Sequence, residues 1–341
     1  METEVIIVND DNLEEAAKKA AKFIVDGEII GLPTETVYGL AANVYYSDSV
    51  RKIFRVKGRP HDNPIIVHVS DFVMFNDVAE INERATGLAR VFWPGPLTMV
   101  LKKKPAVSAL VTGGLPTVAV RMPSHPVALA VISAADLPLA APSANMSGRP
   151  STTTAQHVID DIGGKIPLIL DGGNCEVGVE STVISLVGEH PVILRPGIIS
   201  LERIREVLPD AVYADSVFSE VNDSEPAQSP GTKYRHYSPR AEVVVVKGSL
   251  AQFTKYVSER AGDGVCAMCF DGEQDEISIP SVSYGKEGDG VSQARRLFVV
   301  LRMIDKLGVV RLFVRAPGQS GESTAVFNRL IMASGFKVVE L

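Results

Sequence analysis

A short basic segment, Lys57-Gly58-Arg59, is the first place in this sequence where residue types and spacing suggest chemistry. The helix predicted near residues 49–57 must end here, because Pro60 disfavours helical geometry at the residue before it. A lysine point charge and a planar arginine fork, held close together on a stiff turn, suit a polyphosphate. The cations earlier in that helix have the ordinary explanation of a solvated helix face.

A second candidate segment, Pro142-Ser143-Ala144-Asn145, follows the apolar run 137–141. Its small polar residues are expected to emerge at the end of a strand, where short side chains let a ligand approach the backbone closely. A plain strand-to-helix connection, with Ser151 as the N-cap residue, explains the same residues nearly as well.

Two arginines, Arg121 and Arg195, each close an apolar strand, where a guanidinium needs an anionic partner or open solvent. Either could be a surface residue, but both at strand ends strengthen the prediction of an anion site. Hydroxyl residues also fall near strand ends, in the segments 31–43 and 178–182. For the first segment alone, a turn whose hydroxyls bond only to backbone is the better interpretation. His68 lies in an apolar run, where a core histidine is more common than a ligand.

Together these residues predict a cleft rich in cations, hydroxyls and amides, with no obvious nucleophile or metal triad. Charge-assisted hydrogen bonds contribute on the order of 1.5 to 3 kcal/mol each, so a few of them could hold a triphosphate. The sequence has no G-x-x-x-x-G-K-[ST], G-x-S-x-G or H-E-x-x-H motif. Nucleotidyl transfer fits such a cleft, since it needs mainly positioning and charge stabilisation.

Bulk properties restrict the class of protein. A chain of 341 residues is expected to form two domains, and its net charge of −7 argues against a surface that grips nucleic acid throughout. No apolar stretch is long enough to span a membrane, so a cytoplasmic location is expected. The three cysteines are too few for a disulfide framework. Cys266 and Cys269 lie on a predicted strand, which would turn them to opposite faces and prevent a shared metal site.

The elements that must position these residues follow an α/β pattern. Residues 1–208 are predicted to form one large unit, a twisted and mixed open sheet with helices, because short β-branched runs alternate with helical stretches. Residues 209–240 lack a sustained period and are predicted to be a linker. Residues 241–341 again alternate strands and helices, which suggests a smaller Rossmann-like domain with a parallel sheet.

The same residues resemble those of the YrdC-domain threonylcarbamoyl-AMP synthases, in the longer form that carries an extra C-terminal domain. The matching strings, in chain order, are PTETVYGL, KGRPHDNP, FWPGPLT, TVAVRMPSHP, APSANMSGRPS, GVESTV and ILRPG. The linker string SPGTKYRHYSP resembles the segment typical of the two-domain form. Beyond residue 240 the resemblance rests on length, position and the α/β pattern.

The resemblance implies a set of site residues. Arg121 would face the carboxylate of L-threonine in a pocket that also includes Thr34, His68 and Ser181. Lys57 and Arg59 would be catalytic and, as the resemblance implies, would also contact ATP together with Asn63, Thr117, Ser143, Asn145, Ser151 and Arg195. A Mg²⁺ ion would be held mainly by the ATP phosphates rather than by a protein metal site.

The implied reaction joins L-threonine, bicarbonate and ATP into threonylcarbamoyl-AMP, with release of pyrophosphate and water. In the family this intermediate passes to a separate transferase, which modifies the adenosine beside the anticodon of tRNAs that read ANN codons. A weak contact with tRNA is compatible with this role. Because the product is a readily hydrolysed mixed anhydride, we predict that Tyr234, Arg235 and His236 of the linker fold over the cleft as a lid. A passive tether is the alternative.

Two other functions are compatible with parts of the sequence. A non-enzymatic RNA-binding or ribosome-maturation module could use the same domain type, but the acidic chain and the lack of aromatic stacking strings argue against it. A carbamoyltransferase of the hydrogenase-maturation kind would need further zinc modules, which three cysteines cannot supply.

Overall fold

The computed structural model of the protein describes residues 2–219 and 236–341. The first range contains the strands β1 (Glu4–Ile7), β2 (Ile30–Leu32), β3 (Gly39–Asn43), β4 (Ile66–His68), β5 (Leu97–Lys102), β6 (Thr117–Arg121), β7 (Leu139–Ala140), β8 (Leu168–Asp171), β9 (Thr182–Ser185), β10 (Val192–Arg195) and β11 (Val212–Tyr213). Its helices are α1 (Leu13–Val25), α2 (Ser47–Lys57), α3 (Phe72–Val78), α4 (Glu83–Phe92), α5 (Ala109–Thr112), α6 (Pro126–Ala135), α7 (Ala155–Ile162) and α8 (Leu201–Arg205), and a short 3-10 helix spans Asp215–Val217.

The eleven strands form one sheet in the order β1-β8-β2-β3-β7-β4-β6-β5-β9-β10-β11. Its neighbours pair in both senses: β4 and β6 are parallel, for example, whereas β2 and β3 are antiparallel. The prediction of a mixed open sheet is therefore confirmed. Strand β11 pairs in parallel with β10, so the sheet continues into the segment that was predicted to be linker from residue 209.

Helix α1 shows why the sequence forms these elements. Its apolar residues recur at helical spacing and bury one face of the helix, which packs against α6. The residues that this face contributes to the core are Ala16, Ala17, Ala20, Ala21 and Ile24. Helix α2 ends at Lys57, and the φ of 62° at its C-cap residue, Gly58, is a left-handed conformation that favours glycine. The turn after α2 therefore begins where the sequence predicts it.

The second range holds β12 (Glu242–Lys247), β13 (Val265–Cys269), β14 (Ser281–Ser283), β15 (Arg311–Arg315) and β16 (Val338–Glu340), with helices α9 (Leu250–Ser258), α10 (Gly290–Lys306) and α11 (Ser323–Ser334) and a 3-10 helix at Gln274–Glu276. The strand order is β14-β13-β15-β12-β16, and every pairing is parallel. Cys266 and Cys269 are buried free thiols in the hydrophobic clusters on opposite faces of this sheet. The predicted parallel domain and the placement of its cysteines are confirmed.

The two parts of the chain share an apolar contact. Val37 and Val179 of the first range belong to the same buried cluster as Phe298 and Leu330 of α10 and α11. Gly178 fits closely against α10, since a Cβ atom at this position would lie 2.5 Å from the Cα of Arg295. None of the helices in the described ranges is both long and apolar enough to cross a membrane.

Candidate active site

A cleft lies where the β2–β3 connection, the end of α2, the ends of β4 and β6 and the loop after β7 meet. The cleft contains about 720 Å³ of space, a figure that includes solvent at its open mouth. Among the described residues that line it, one carboxylate, Glu180, stands against five cationic side chains: Lys57, Arg59, Arg121, Arg149 and Arg195. The cleft is therefore suited to a multiply charged anion.

Lys57 is held at the floor of this cleft. It is the last residue of α2, is only 1% exposed, and its Nζ donates to the backbone carbonyls of Ser143 and Asn145. Burial, reinforced by the charge of Arg59, lowers the pKa of Lys57 well below its ordinary value. An anion bound in the cleft would offset the cost of burying the charge and would raise this pKa again.

Arg59 is fixed by the turn that follows α2. Its Nη2 donates to the Oδ1 of Asn63 and to the carbonyl of Pro64, each at 2.7 Å, and its Nε donates to the carbonyl of Asn63 at 3.2 Å. Asn63 is buried behind the guanidinium and is not among the residues that line the cleft. The structure therefore places Asn63 where it orients Arg59.

The segment after β7 brings its predicted residues to the cleft wall. Ser143, Asn145 and Ser151 all line the cleft. The Nδ2 of Asn145 donates to the carbonyls of Met146 and Arg149 at 2.8 and 3.0 Å, which closes the loop on itself. These contacts fix a compact loop, in which the Ser143 hydroxyl donates to the Oδ1 of Asn145 and the Ser151 hydroxyl donates to the Oε1 of Glu180.

Arg121 lies at the end of β6 and is 3% exposed. Its Nη1 donates to the Oγ1 of Thr36 at 2.7 Å, its Nε donates to the carbonyl of Gly95 at 3.2 Å, and its Nη2 lies 2.7 Å from the Oε1 of Glu35. Burial opposes the ionisation of Glu35, but the charge and hydrogen bond of Arg121, together with backbone hydrogen bonds, outweigh it and lower the pKa of Glu35. The guanidinium is thus held rigidly, with donor positions left for a ligand carboxylate.

Thr34, His68 and Ser181 complete the wall around Arg121. The Oγ1 of Thr34 donates to the carbonyl of Val37 at 2.5 Å, in the turn between β2 and β3. His68 is the register partner of Arg121, so the two side chains share one face of the sheet. Burial and the Arg121 charge lower the pKa of His68 to about 3, so the imidazole is neutral near pH 7.

Arg195 approaches from β10 on the far side of the cleft. Its Nη2 donates to the carbonyl and to the hydroxyl of Ser181 at 3.1 and 3.2 Å, and Ser181 Oγ lies 2.7 Å from Thr98 Oγ1. Burial lowers the pKa of Arg195, although nearby Tyr237 and Glu180 oppose this effect. Ser181 therefore anchors Arg195 and also contacts Thr98 of β5.

The predicted lid falls partly on the described chain. Tyr234 and Arg235 lie outside the described residues, whereas His236 is half-buried and lines the cleft. Burial and the charge of Arg59 lower the pKa of His236 to about 3. The next residue, Tyr237, also lines the cleft and stacks on Phe298 of α10, with ring centroids 5.3 Å apart.

Thr117, like Asn63, is a predicted site residue that is not among the residues lining the cleft. It begins β6, and Arg121 ends the same strand. At about 3.3 Å per residue, the two ends of the strand are roughly 13 Å apart. Its predicted contact with ATP stays a prediction.

Comparison with known proteins assigns the chain to a family. Residues 22–197 match the family model described as "Telomere recombination", and residues 199–335 match that of the C-terminal domain of threonylcarbamoyl-AMP synthase. The threonylcarbamoyl-AMP synthase of Pyrococcus abyssi is 44% identical over 98% of this chain and 99% of its own. That of Bacillus subtilis is 40% identical over 99% of this chain and 97% of its own. The chain belongs to the threonylcarbamoyl-AMP synthase family.

The solved structures agree with this assignment. A crystal structure of P. abyssi Sua5 complexed with L-threonine superposes with a TM-score of 0.92 at 41% identity, and the match covers 99% of this chain and 100% of that one. Both domains of the synthase fold are therefore present. The chain is therefore the two-domain form of the family, as its linker string predicts.

Two carboxylates at or beside the site were missed in the sequence. Glu35 lies next to Thr34, which was predicted, but its partner Arg121 is distant in the chain. Glu180 lies in the GVEST segment, which drew attention only for its hydroxyls, yet its Oε1 accepts from the hydroxyl of Ser151. A carboxylate within a run of small residues at a strand start is the signal that could have identified Glu180.

Proposed function

We infer that this protein makes threonylcarbamoyl-AMP from L-threonine, bicarbonate and ATP. The observation that carries the proposal is the cleft itself, in which five cations, among them the rigidly held Arg121, face one carboxylate. Family membership over the whole chain supports the same reaction. A non-enzymatic RNA-binding module would not explain why cations such as Lys57, Arg121 and Arg195 are buried in a cleft rather than exposed on the surface.

We assign the chemistry to nucleotidyl transfer. The threonine amine takes up bicarbonate with loss of water, which gives N-carboxythreonine. An oxygen of its carboxylate then attacks the α-phosphorus of ATP, and the bond from that phosphorus to the bridging oxygen breaks to release pyrophosphate. No covalent bond to the protein is required.

In this proposal Lys57 and Arg59 stabilise the charge that develops on the phosphates. Their support comes from position, since both line the cleft and both are fixed by backbone carbonyls. Arg195 and the hydroxyls of Ser143 and Ser151 would complete the nucleotide side.

Threonine would lie near Arg121, with its carboxylate on the guanidinium. The Nδ1 of His68 is buried, and within the described part of the chain it has no hydrogen-bond partner. As a neutral imidazole it can accept a hydrogen bond at this atom. We assign it to the threonine ammonium or hydroxyl, with Thr34 and Ser181 close by.

Mg²⁺ would enter with ATP. Within residues 2–219 and 236–341 no group of three or more His, Cys, Asp or Glu side chains is arranged to hold a metal ion. The cleft carboxylate, Glu180, already accepts from Ser151 and pairs with Arg329. These residues therefore fit an ion coordinated mainly by phosphate oxygens, which would neutralise charge there.

The product would pass to a tRNA-modifying transferase, since a mixed anhydride must be used before it hydrolyses. His236 and Tyr237 at the cleft support the proposal that the linker acts as a lid. Direct contact with tRNA would be weak, given the net charge of −7. The cytoplasm stays the proposed location, because three free cysteines fit a reducing compartment.

An amino-acid panel tests the proposal. The protein is incubated with ATP, Mg²⁺ and bicarbonate, and pyrophosphate release is measured with threonine, serine, valine and allo-threonine in turn. We expect release with threonine and bicarbonate together and little with either omitted. Equal release with every amino acid, or release without any, would contradict the proposal.

A further inference from the structure

A buried arginine of the C-terminal domain reaches into the loop that forms the cleft wall. Arg302 of α10 is 8% exposed, and its Nη2 donates to the carbonyl of Pro150 at 2.6 Å. Its Nε donates to the carbonyl of Ser151 at 3.2 Å. The same guanidinium meets both carboxylate oxygens of Asp161, at 3.2 and 2.9 Å. One side chain therefore holds two consecutive carbonyls and a carboxylate.

Asp161 extends this grip to the other end of the loop. Its Oδ2 accepts from the backbone N–H of Met146 at 3.1 Å, and its Oδ1 accepts from Arg149 at 3.1 Å. Burial opposes the ionisation of Asp161, but the hydrogen bonds and charge of Arg302 outweigh it and lower the pKa. The loop 146–151 is thus fixed at both ends by one ion pair that joins the two domains.

A second arginine acts on the same serine from the other side. Arg329 of α11 is fully buried, and its Nε donates to the Oε2 of Glu180 at 2.7 Å. The other oxygen of Glu180 accepts from the Ser151 hydroxyl. The Arg329 guanidinium also lies 5.2 Å from the ring of Tyr237. The Ser151 carbonyl therefore accepts from Arg302, and the Ser151 hydroxyl donates to Glu180, which Arg329 holds in place.

We propose that Arg302 and Arg329 are positioning residues through which the C-terminal domain builds the nucleotide side of the cleft. They line no part of the cleft themselves among the described residues; they act through Ser151, Glu180 and the loop 146–151. This inference rests on the proposed function, because it assumes that Ser151 faces ATP. An interface that served only cohesion could have used apolar side chains of similar size, since burying paired charges often adds little stability.

The proposal predicts an effect on one substrate only. The threonine side depends on Arg121, whose partners Thr36, Gly95 and Glu35 all belong to the N-terminal domain. Loosening the loop 146–151 should therefore weaken ATP binding and leave threonine binding nearly unchanged. A purely structural role would lower thermal stability or the amount of active protein and would leave both KM values unchanged.

The test uses Arg302→Lys in the full-length protein. Lysine keeps the charge beside Asp161 but cannot reproduce the forked contacts to two carbonyls. We expect the KM for ATP to rise about tenfold or more, and the KM for threonine to change less than about twofold, because one charge-assisted contact set is lost. Lys306→Met is the matched control: Lys306 lies one turn further along α10 and also joins the two domains, through an exposed pair with Asp160 at 3.0 Å. It should leave both constants unchanged.

Calorimetric binding of a non-hydrolysable ATP analogue separates this inference from the proposed function. If the wild-type protein binds the analogue but releases no threonine-dependent pyrophosphate, the proposed function fails while the analogue affinities still decide the inference. If Arg302→Lys binds the analogue as tightly as wild type, the inference fails alone. Arg329→Lys provides a second variant, with the same expected pattern, should Arg302→Lys fold poorly. Equal rises in both KM values would also overturn the inference.

Discussion

Replacing Lys57 by methionine is the perturbation that bears most directly on the chemistry. Methionine fills nearly the same volume and removes the amine, so the apolar stem of the side chain keeps its packing. Helix α2 should persist, because its core residues Ile53 and Phe54 are fully or almost fully buried. The change therefore removes the amine at the cleft floor, together with its hydrogen bonds to the carbonyls of Ser143 and Asn145.

The size of the effect follows from burial. A hydrogen bond to a charged group contributes about 1.5 to 3 kcal/mol, and Lys57 is only 1% exposed, so solvent screens it little. At about 1.36 kcal/mol per factor of ten, kcat/KM for ATP should fall roughly 10- to 150-fold. Proton uptake gives a second readout. Burial lowers the pKa of Lys57, and a bound triphosphate would raise it. At pH values between the pKa of the free protein and that of the complex, ATP binding should therefore be accompanied by the uptake of a proton.

The assay is threonine-dependent pyrophosphate release, combined with calorimetry in buffers of different ionisation enthalpy. Lys52→Met is the matched control, since Lys52 lies in the same helix and pairs with Glu28 at 2.7 Å, away from the cleft. The control should keep wild-type kcat/KM and proton uptake. If Lys57→Met retained kcat/KM within about twofold, which is less than the weakest such hydrogen bond provides, the assignment of Lys57 to the phosphates would be wrong.

Three further predictions concern the groups around this site. Because the pKa of Glu35 is lowered in the folded protein, its ionisation stabilises the fold at pH values above the unfolded pKa of about 4.3, and this stability is lost as the pH falls through the folded pKa. Glu35→Gln should therefore lower Tm most at neutral pH and less in acid. A decrease in Tm that does not depend on pH would contradict the ion pair. His68, with a pKa of about 3, should show no NMR titration between about pH 5 and 8; a midpoint near the ordinary value would refute its burial. Gly178→Ala should lower Tm more than Gly173→Ala: both glycines have positive φ, of 82° and 87°, but only Gly178 faces another backbone, that of α10. An equal decrease in Tm for the two variants would contradict the close packing of Gly178 against α10.

Much of the fold could be predicted because local pattern and tertiary structure agree. The alternation of strands and helices predicted for residues 1–208 and 241–341 is observed in both parts, and the second part has the predicted parallel sheet. Strand β3 was missed because its sequence, GLAAN, has small residues with low strand propensity; pairing with β2 and β7 overrides that preference. Helix α6 was missed because PVALAVISAA is apolar on nearly every side and shows no helical period, although Pro126 at its first turn is a start signal.

The site was predictable where its residues lie in short ordered strings. Lys57, Ser143 and Arg121 come together as the strings suggest. The arginines of α10 and α11 were not recognised, because a cation on an amphipathic helix is ordinarily solvated and its partner lies far away in the chain. Arg302 and Asp161 are separated by 141 positions. No local pattern encodes such a contact.

The most direct measurement follows the atoms of the product. The protein is incubated with ATP, Mg²⁺, threonine and ¹³C-bicarbonate, quenched rapidly, and the products are analysed by mass spectrometry. We predict one compound that contains AMP, threonine and a single carbon from bicarbonate, formed in equal amount to pyrophosphate. AMP that carries no labelled carbon, or conversion of ATP to ADP and phosphate, would contradict the account.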